Sequence, residues 1–227
     1  MLWDIASPEH RHDNAVPSVS AGGKRHRVIT TVLRRIGILR DRQRDNILFG
    51  NNVLELGGEI IMVGHFVLHA YRSWNADNPR GYVNRGHRGI LAPDKGIARY
   101  RNRIAAQPAM VWDGIAQALI LTLTNEICAQ ETWRLHGIAI TAPHIHAVTS
   151  KCGSVELAAM QHRLKRLLGK DLSQRTGKRG TRWFSRGGQP TRVSDSKHLE
   201  YLLRQYLPQQ GGLYWCEGMA EPRRTAL

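Results

Sequence analysis

The clearest pattern in the chain begins directly after Met62, where apolar and polar residues alternate. Between Val63 and Tyr71, one side of an extended chain carries Phe66, Leu68 and Ala70, and the other carries His65, Val67, His69 and Tyr71. Successive side chains of a β-strand point to opposite faces, so this alternation predicts a first strand. Residues 75–96, rich in Gly, Asn, Pro and Arg, predict a long loop.

Two helices are predicted after this loop. The first begins near Asp94 and runs through Arg99 to Ile104, ahead of Pro108. The second begins after Asp113, a residue type that is favoured at a helix N-cap. Four apolar residues recur in it at intervals of four, which predicts a buried stripe that packs on a sheet: Ile115, Leu119, Leu123 and Ile127.

The second half of the chain predicts a hairpin, two more helices and a short strand. Trp133–Ile140 and His144–Thr149 are predicted strands, and the three residues between them require an antiparallel pair. Ser154 is the expected cap of a helix whose inward residues are Leu157, Met160, Leu164 and Leu167. Residues 191–193 predict a short strand, and Ser194 or Asp195 is expected to cap a last helix. This order predicts an α+β fold: a ferredoxin-like split βαβ antiparallel sheet with helices on one face.

The same patterns divide the chain into three parts. Residues 1–27 are polar and show no regular apolar period, and glycines interrupt the patterns of residues 28–61. We therefore predict that residues 1–61 form a poorly ordered or loosely attached arm. Residues 62–218 are the predicted domain, and residues 219–227 a tail. Met62 is a candidate first residue of the natural protein, because the orderly pattern starts there.

The composition of the chain predicts the class of its binding partner and its cellular compartment. The chain of 227 residues carries a net charge of +15, most of it after Met62, which favours a polyanionic partner. The three cysteines are far apart and form no Cys-x-x-Cys pair, as is typical of a reducing cytoplasm. No apolar run is long enough to cross a bilayer, so we expect a cytoplasmic protein with no membrane partner.

The positive charge is densest between Arg163 and Arg192, a segment that contains ten Lys or Arg residues and only one acidic residue, Asp171. Aromatic residues and glycines interrupt this basic run, which favours contacts with nucleic-acid phosphates and stacked bases over a merely solvated face. The candidate DNA contacts are Arg163, Lys165, Arg166, Lys178, Arg179, Arg182, Trp183 and Arg186, with Phe184 as a second stacking surface.

Candidate chemistry lies in the third strand and the last helix. His144 and His146 share one face of their strand, and two imidazoles on one face make half of a metal site. In the last helix Leu199, Leu202, Leu203 and Tyr206 fall on one face, with Tyr201 roughly opposite. Pro208 is expected to kink or end the helix just beyond Tyr206.

Four segments in this order resemble the single-tyrosine HUH transposases, in particular the REP-associated, insertion-sequence-200-like branch. They are His69-Ala-Tyr-Arg-Ser-Trp74, Trp133 to Val148 with its His144-Ile-His146 core, Trp183-Phe-Ser-Arg-Gly-Gly188 and Tyr206-Leu-Pro-Gln-Gln-Gly-Gly212. The resemblance spans about residues 62–218. Two positions depart from the family pattern: Pro143 stands where the family often has Asn, and Pro208 interrupts the tyrosine segment.

The resemblance implies an enzyme that nicks and rejoins single-stranded or hairpin DNA, as a monomer or homodimer. His144, His146 and Gln210 would hold a divalent metal, Mg²⁺ or Mn²⁺, and Tyr206 would attack the phosphodiester. Tyr201 with Gln205 repeats the same tyrosine-to-glutamine spacing, so Tyr201 is the alternative nucleophile, although helix phase favours Tyr206.

Three other functions are compatible with the same sequence. One is a non-catalytic nucleic-acid-binding protein on the same fold, and another is a domesticated transposase that binds DNA without cutting it. The third is a zinc hydrolase that adds Cys152, His136 or His162 to the two histidines of the third strand.

Overall fold

The structure is a computed structural model that describes residues 48–50, 53–56, 59–84 and 86–226. Most of the predicted arm, residues 1–47, lies outside these ranges, as does Arg85. The strands are β1 (Leu48–Gly50), β2 (Val53–Leu56), β3 (Glu59–His69), β4 (Arg134–Ile140), β5 (His144–Cys152), β6 (Thr191–Arg192), β7 (Gly212–Cys216) and β8 (Arg223–Thr225). The helices are α1 (Lys95–Arg103), α2 (Gly114–Gln130), α3 (Leu157–Thr176) and α4 (Ser196–Tyr201).

The described strands form one antiparallel sheet, which confirms the predicted α+β class. Its order is β1-β2-β3-β5-β4-β7-β8, and β6 pairs with β3 beside that path. The predicted hairpin of β4 and β5 is present, with a bulge between Leu135 and Gly137. Strand β3 runs across Met62, so the sheet extends upstream of the predicted domain boundary. The predicted tail contributes β8, which pairs with β7.

One face of the sheet packs on the two long helices. Phe66 and Leu68 of β3 and Ile145 and Ala147 of β5 lie fully buried there against apolar residues of α2 and α3. Asp94 and Asp113 cap α1 and α2 as predicted, each accepting a hydrogen bond from the backbone amide three residues on. None of the described helices is both long enough and apolar enough to span a membrane.

The last helix packs on the opposite face, so the prediction of helices on one face only is wrong for this element. Leu199 of α4 and Leu202, in the turn directly after it, belong to a second apolar cluster with Val63 of β3 and Val148 of β5. Each of these two valines lies an odd number of positions from the residues of its strand that face α2 and α3. Side chains alternate between the two faces of a strand, so the valines point to the opposite face. The final helix therefore covers the face that carries His144 and His146.

Two further expectations need correction. Ile115 is 82% exposed, because it lies in the first turn of α2 and the predicted stripe reaches the core only from Leu119 onward. The cap of α3 is Glu156, in extended conformation and without a side-chain hydrogen bond. Ser154 lies three residues before the helix begins, too far away to cap it.

Candidate active site

The pairing of β3 with β5 gathers four histidines on one face of the sheet. His69 lies opposite His144, and Val67 lies opposite His146. Cross-strand partners share a face, so His65 and His69 join the two histidines predicted from the sequence. The ring centroids of His144 and His146 are 4.8 Å apart, and those of His69 and His144 are 5.9 Å apart.

His146 is buried and has one free ring nitrogen. Its Nδ1 lies 3.3 Å from Nε2 of His65, whereas its own Nε2 is buried without a hydrogen-bond partner. Burial, reinforced by His144, His65 and His69, lowers the pKa of His146 to about 3, so the ring is neutral at physiological pH. If Nδ1 donates to His65, Nε2 carries an unused lone pair. A buried lone pair without a partner is what a metal ligand provides.

His144 has the same arrangement with a different partner. Its Nδ1 lies 2.7 Å from the hydroxyl oxygen of Thr141, and its backbone amide donates to that oxygen at 3.1 Å. The Thr141 hydroxyl in turn reaches the carbonyl oxygen of His144 at 3.0 Å. When the hydroxyl donates to this carbonyl it accepts from Nδ1–H, which leaves the lone pair of His144 on Nε2. Burial also lowers the pKa of His144, which favours the neutral ring.

The last helix brings Tyr206 onto these rings. Asp195 caps α4 by accepting from the amide of His198 at 2.8 Å. After Tyr201 the helix widens into a π-turn over Leu202–Tyr206 and then tightens into a 3₁₀ turn at Pro208–Gln210. The helical path thus changes at Pro208, where the missing amide hydrogen was expected to disturb it. The Tyr206 ring centroid lies 5.4 Å from that of His65 and 5.5 Å from that of His146.

The two tyrosines occupy different positions. Tyr201 is 47% exposed, and its ring centroid lies 6.3 Å from that of Tyr206. Among the described residues, Tyr201 makes no ring contact with any of the four histidines, whereas Tyr206 contacts two. Burial, followed by the neighbouring Tyr201, raises the pKa of Tyr206. Its phenol is therefore protonated in the isolated protein, and a cation beside it would favour the phenolate.

His144 and His146 each offer an Nε2 atom of the kind that binds a divalent metal, and Gln210 as the third ligand stays a prediction. The amide nitrogen of Gln210 donates to the carbonyl of Tyr206 at 3.1 Å, which ties this side chain to the helix turn that carries Tyr206. No three His, Cys, Asp or Glu side chains within the described ranges are arranged to hold a metal ion.

The predicted basic residues divide into three groups. Arg163 forms a salt bridge with Glu131 at 2.7 Å, and Lys165 donates to the carbonyl oxygens of Ser185 and Gly187. Lys178 and Arg179 lie exposed just beyond the end of α3. The remaining three line one cavity beside α3, together with Lys165: Arg166, Arg182 and Arg186.

Trp183 does not offer the stacking surface that the sequence suggested. It is only 5% exposed, belongs to the core beneath α3, and donates from Nε1 to the hydroxyl of Ser173 at 2.8 Å. Because the indole ring is buried near the end of α3, a nucleobase could stack on it only if the side chain left the core. Phe184 is half-buried and packs edge-on against Trp112.

The additional zinc ligands considered from the sequence lie elsewhere. His136 is buried in β4, where Nε2 bonds the hydroxyl of Ser150 at 2.8 Å and Nδ1 faces Glu217 at 3.5 Å. Cys152 is exposed at the end of β5, and His162 is exposed on α3.

Sequence reasoning missed three residues of this site: His65, His69 and Thr141. The alternation after Met62 had already placed both histidines on the polar face of the first strand. The register that sets them against His144 and His146 depends on long-range pairing, which the alternation does not encode. Compared with models of protein families, with curated proteins and with solved structures, the chain has no significant match.

Proposed function

We propose that the protein is a DNA strand transferase that nicks and rejoins single-stranded DNA through a covalent bond to Tyr206. The observation that carries this proposal is the packing of the Tyr206 ring against His65 and His146, at 5.4 and 5.5 Å. The phenol thereby lies against His146, whose Nε2 is buried without a partner, on the sheet face that also carries His144. The resemblance to the single-tyrosine HUH transposases leads to the same chemistry, and the transposition of DNA is the process it implies.

The strand order supports the finer fold assignment within this proposal. Taken without its outer strands, the sheet has the order β6-β3-β5-β4. A helix crosses between β3 and β4 and another between β5 and β6, which is the connectivity of the ferredoxin-like split βαβ unit. The hairpin β1-β2 and the pair β7-β8 extend this unit on its two sides.

His144 and His146 are the residues that would hold the metal. A divalent ion supplies positive charge that polarises a non-bridging phosphate oxygen and offsets the negative charge of the pentavalent transition state. Thr141 and His65 fix the orientation of the two rings, as hydrogen-bond partners of metal-ligating histidines commonly do. Imidazole ligands favour Mn²⁺ over Mg²⁺, and both ions suit phosphoryl transfer.

The reaction proposed for Tyr206 is a transfer of the phosphodiester. Its phenol loses a proton to solvent, and the oxygen forms a bond to phosphorus. The bond between phosphorus and the leaving sugar oxygen breaks, and that oxygen takes up a proton to become a free hydroxyl. Since the tyrosine ester retains the phosphodiester linkage, the hydroxyl of a second strand can displace Tyr206 and restore a DNA bond without nucleotide hydrolysis.

The test is the formation of a denaturation-resistant adduct. The protein is incubated with end-labelled single-stranded DNA that contains a hairpin, with Mn²⁺ or with EDTA, and the products are separated on a denaturing gel. We expect a labelled protein band with Mn²⁺, its loss in Tyr206→Phe and its retention in Tyr201→Phe. The two variants remove the same atom from neighbouring positions, so each is the control for the other.

Other outcomes lead to other readings. An adduct that disappears in Tyr201→Phe and persists in Tyr206→Phe would transfer the nucleophile to Tyr201. Binding that survives EDTA, with no adduct on any hairpin substrate, would favour the non-catalytic nucleic-acid-binding protein. Tightly held stoichiometric zinc in the purified protein would favour the hydrolase.

A further inference from the structure

A basic cavity of about 820 Å³ lies between α3 and residues 181–187. Its cationic lining comes from Lys165 and Arg166 on α3 and from Arg182 and Arg186 on the facing segment. No described Asp or Glu lines it. Because like charges repel in the absence of a counter-ion, such a lining favours an anionic ligand.

Three of the four cations are available to that ligand. Arg166, Arg182 and Arg186 are exposed, and none forms a salt bridge with any residue that the structure describes. Lys165 is half-buried, and its amine is already bonded to the carbonyl oxygens of Ser185 and Gly187. Lys165 thus holds the wall of the cavity in place, and the three arginines of the lining remain available to a ligand.

The cavity also has an aromatic wall. Tyr71 lines it, with the guanidinium carbon of Arg182 6.0 Å from its ring centroid. The backbone of Arg182 is fixed by Gln107, whose side chain accepts from its amide at 2.9 Å and donates to its carbonyl at 2.8 Å. An aromatic ring beside a planar guanidinium suits a nucleobase, and the other arginines suit phosphates.

The cavity adjoins the histidine cluster through the end of β3. The amide of Ser185 donates to the carbonyl oxygen of His69 at 2.9 Å, and Phe184 pairs with Ala70. After burial and His144, Lys165 is a further cause of the lowered pKa of His69, which places its charge near that ring. One wall of the cavity is thus bonded directly to the end of β3, next to the strand residue that carries one of the four histidines.

We propose that this cavity is a subsite for single-stranded DNA, which binds the phosphates and a base next to the phosphate that Tyr206 attacks. The inference rests on the proposed function. It adds that strand binding depends on Arg166, Arg182 and Arg186, and not on the basic character of the chain as a whole.

The test compares two double variants with the same loss of charge. The double variant Arg166→Gln with Arg186→Gln removes two cationic side chains from the lining of the cavity. Arg163→Gln with Arg175→Gln removes two cations of the same helix that lie outside the cavity, in salt bridges with Glu131 and Glu126. Anisotropy of a fluorescent single-stranded oligonucleotide is measured in EDTA over a range of salt concentrations, so that no covalent step contributes. Circular dichroism verifies the fold of both variants.

We expect the cavity variant to bind at least about tenfold more weakly and to lower the salt slope by about 1.4, since each phosphate contact on a single strand contributes about 0.7. The matched variant is expected to keep the affinity within about twofold. Equal losses in both variants, or no loss in the cavity variant, would overturn the subsite. If the subsite is overturned in this way but the DNA adduct on Tyr206 still forms, the proposed function remains supported. If only the cavity variant binds more weakly and no adduct forms, the subsite remains and the catalytic proposal is refuted.

Free nucleotides distinguish binding of a strand from binding of a mononucleotide. Inorganic phosphate and thymidine monophosphate are added as competitors at millimolar concentration. We expect weak competition by both, because each supplies only one phosphate to a cavity with three free guanidinium groups. Displacement of the oligonucleotide at micromolar mononucleotide would contradict the strand subsite and indicate a nucleotide-binding pocket.

Discussion

Nε2 of His65 lies 3.3 Å from Nδ1 of His146, although 81 positions separate the two residues in the chain. This contact leaves Nε2 of His146 without a partner in a buried position. In the proposed metal site, His65 would set which ring nitrogen of His146 faces the ion.

Replacing His65 tests that role. We expect His65→Phe to weaken Mn²⁺ binding by about 10 to 100-fold, the usual cost of losing the hydrogen-bond partner of a metal ligand. His65→Gln retains an acceptor oxygen and is expected to lose less. Titration followed by the electron paramagnetic resonance of free Mn²⁺ measures both. His162→Gln, an exposed change on α3, is the control, and equal affinity in His65→Phe and the control would refute the role.

Thr141 is the corresponding residue for His144. Thr141→Val keeps the shape of the side chain but leaves the backbone amide and Nδ1 of His144 without their acceptor. A buried group that loses its partner costs about 1–3 kcal/mol, so we expect the free energy of unfolding in urea to fall by this amount. Thr141→Ser retains the hydroxyl and should restore most of the stability. A valine variant as stable as wild type would show that Thr141 does not hold His144.

Local patterns predicted much of the fold, and long-range pairing decided the rest. Alternation after Met62 and the caps Asp94 and Asp113 correspond to elements that the structure contains. The face on which the last helix packs was predicted wrongly, because the spacing of Leu199 and Leu202 defines an apolar stripe but not which side of the sheet receives it. The prediction of Trp183 as a stacking surface was wrong for a related reason. Its basic neighbours indicate an exposed segment, and the burial of its own ring depends on the distant residues that it packs against.

The connection into β7 depends on a glycine. Gly212 has φ +82°, and a Cβ atom at this position would overlap the carbonyl oxygen of Ile140 on the neighbouring strand. Gly86 also has positive φ, at +87°, but faces open space. Positive φ alone costs a residue with a Cβ about 1–2 kcal/mol. We expect Gly212→Ala to lose at least about 2 kcal/mol more stability than Gly86→Ala in urea unfolding, and equal losses would contradict the close approach of β7 to β4.

Lys165 is expected to act on the structure of the cavity wall. Lys165→Met removes the hydrogen bonds to the carbonyl oxygens of Ser185 and Gly187, and bonds to a charged group contribute about 1.5–3 kcal/mol each. We expect faster amide hydrogen exchange over residues 184–188, measured by mass spectrometry, with β5 unchanged. Lys170→Met alters an exposed lysine of the same helix and should leave that exchange unaffected. Identical exchange in the two variants would contradict a structural role of Lys165 and would favour its original prediction as a DNA contact.

The cysteines provide an independent probe of the packing on α2. Burial raises the pKa of Cys128 to about 12, so at pH 8 roughly one thiol in ten thousand is ionised, and the thiolate is the reactive form. Cys152 is exposed and Cys216 half-buried. With an alkylating reagent at pH 8 followed by peptide mass spectrometry, we expect Cys152 to be labelled first and Cys128 only after urea is added. Cys152→Ser should remove the fast phase and nothing else. Rapid labelling of Cys128 in the native protein would mean that α2 does not pack on the sheet as described.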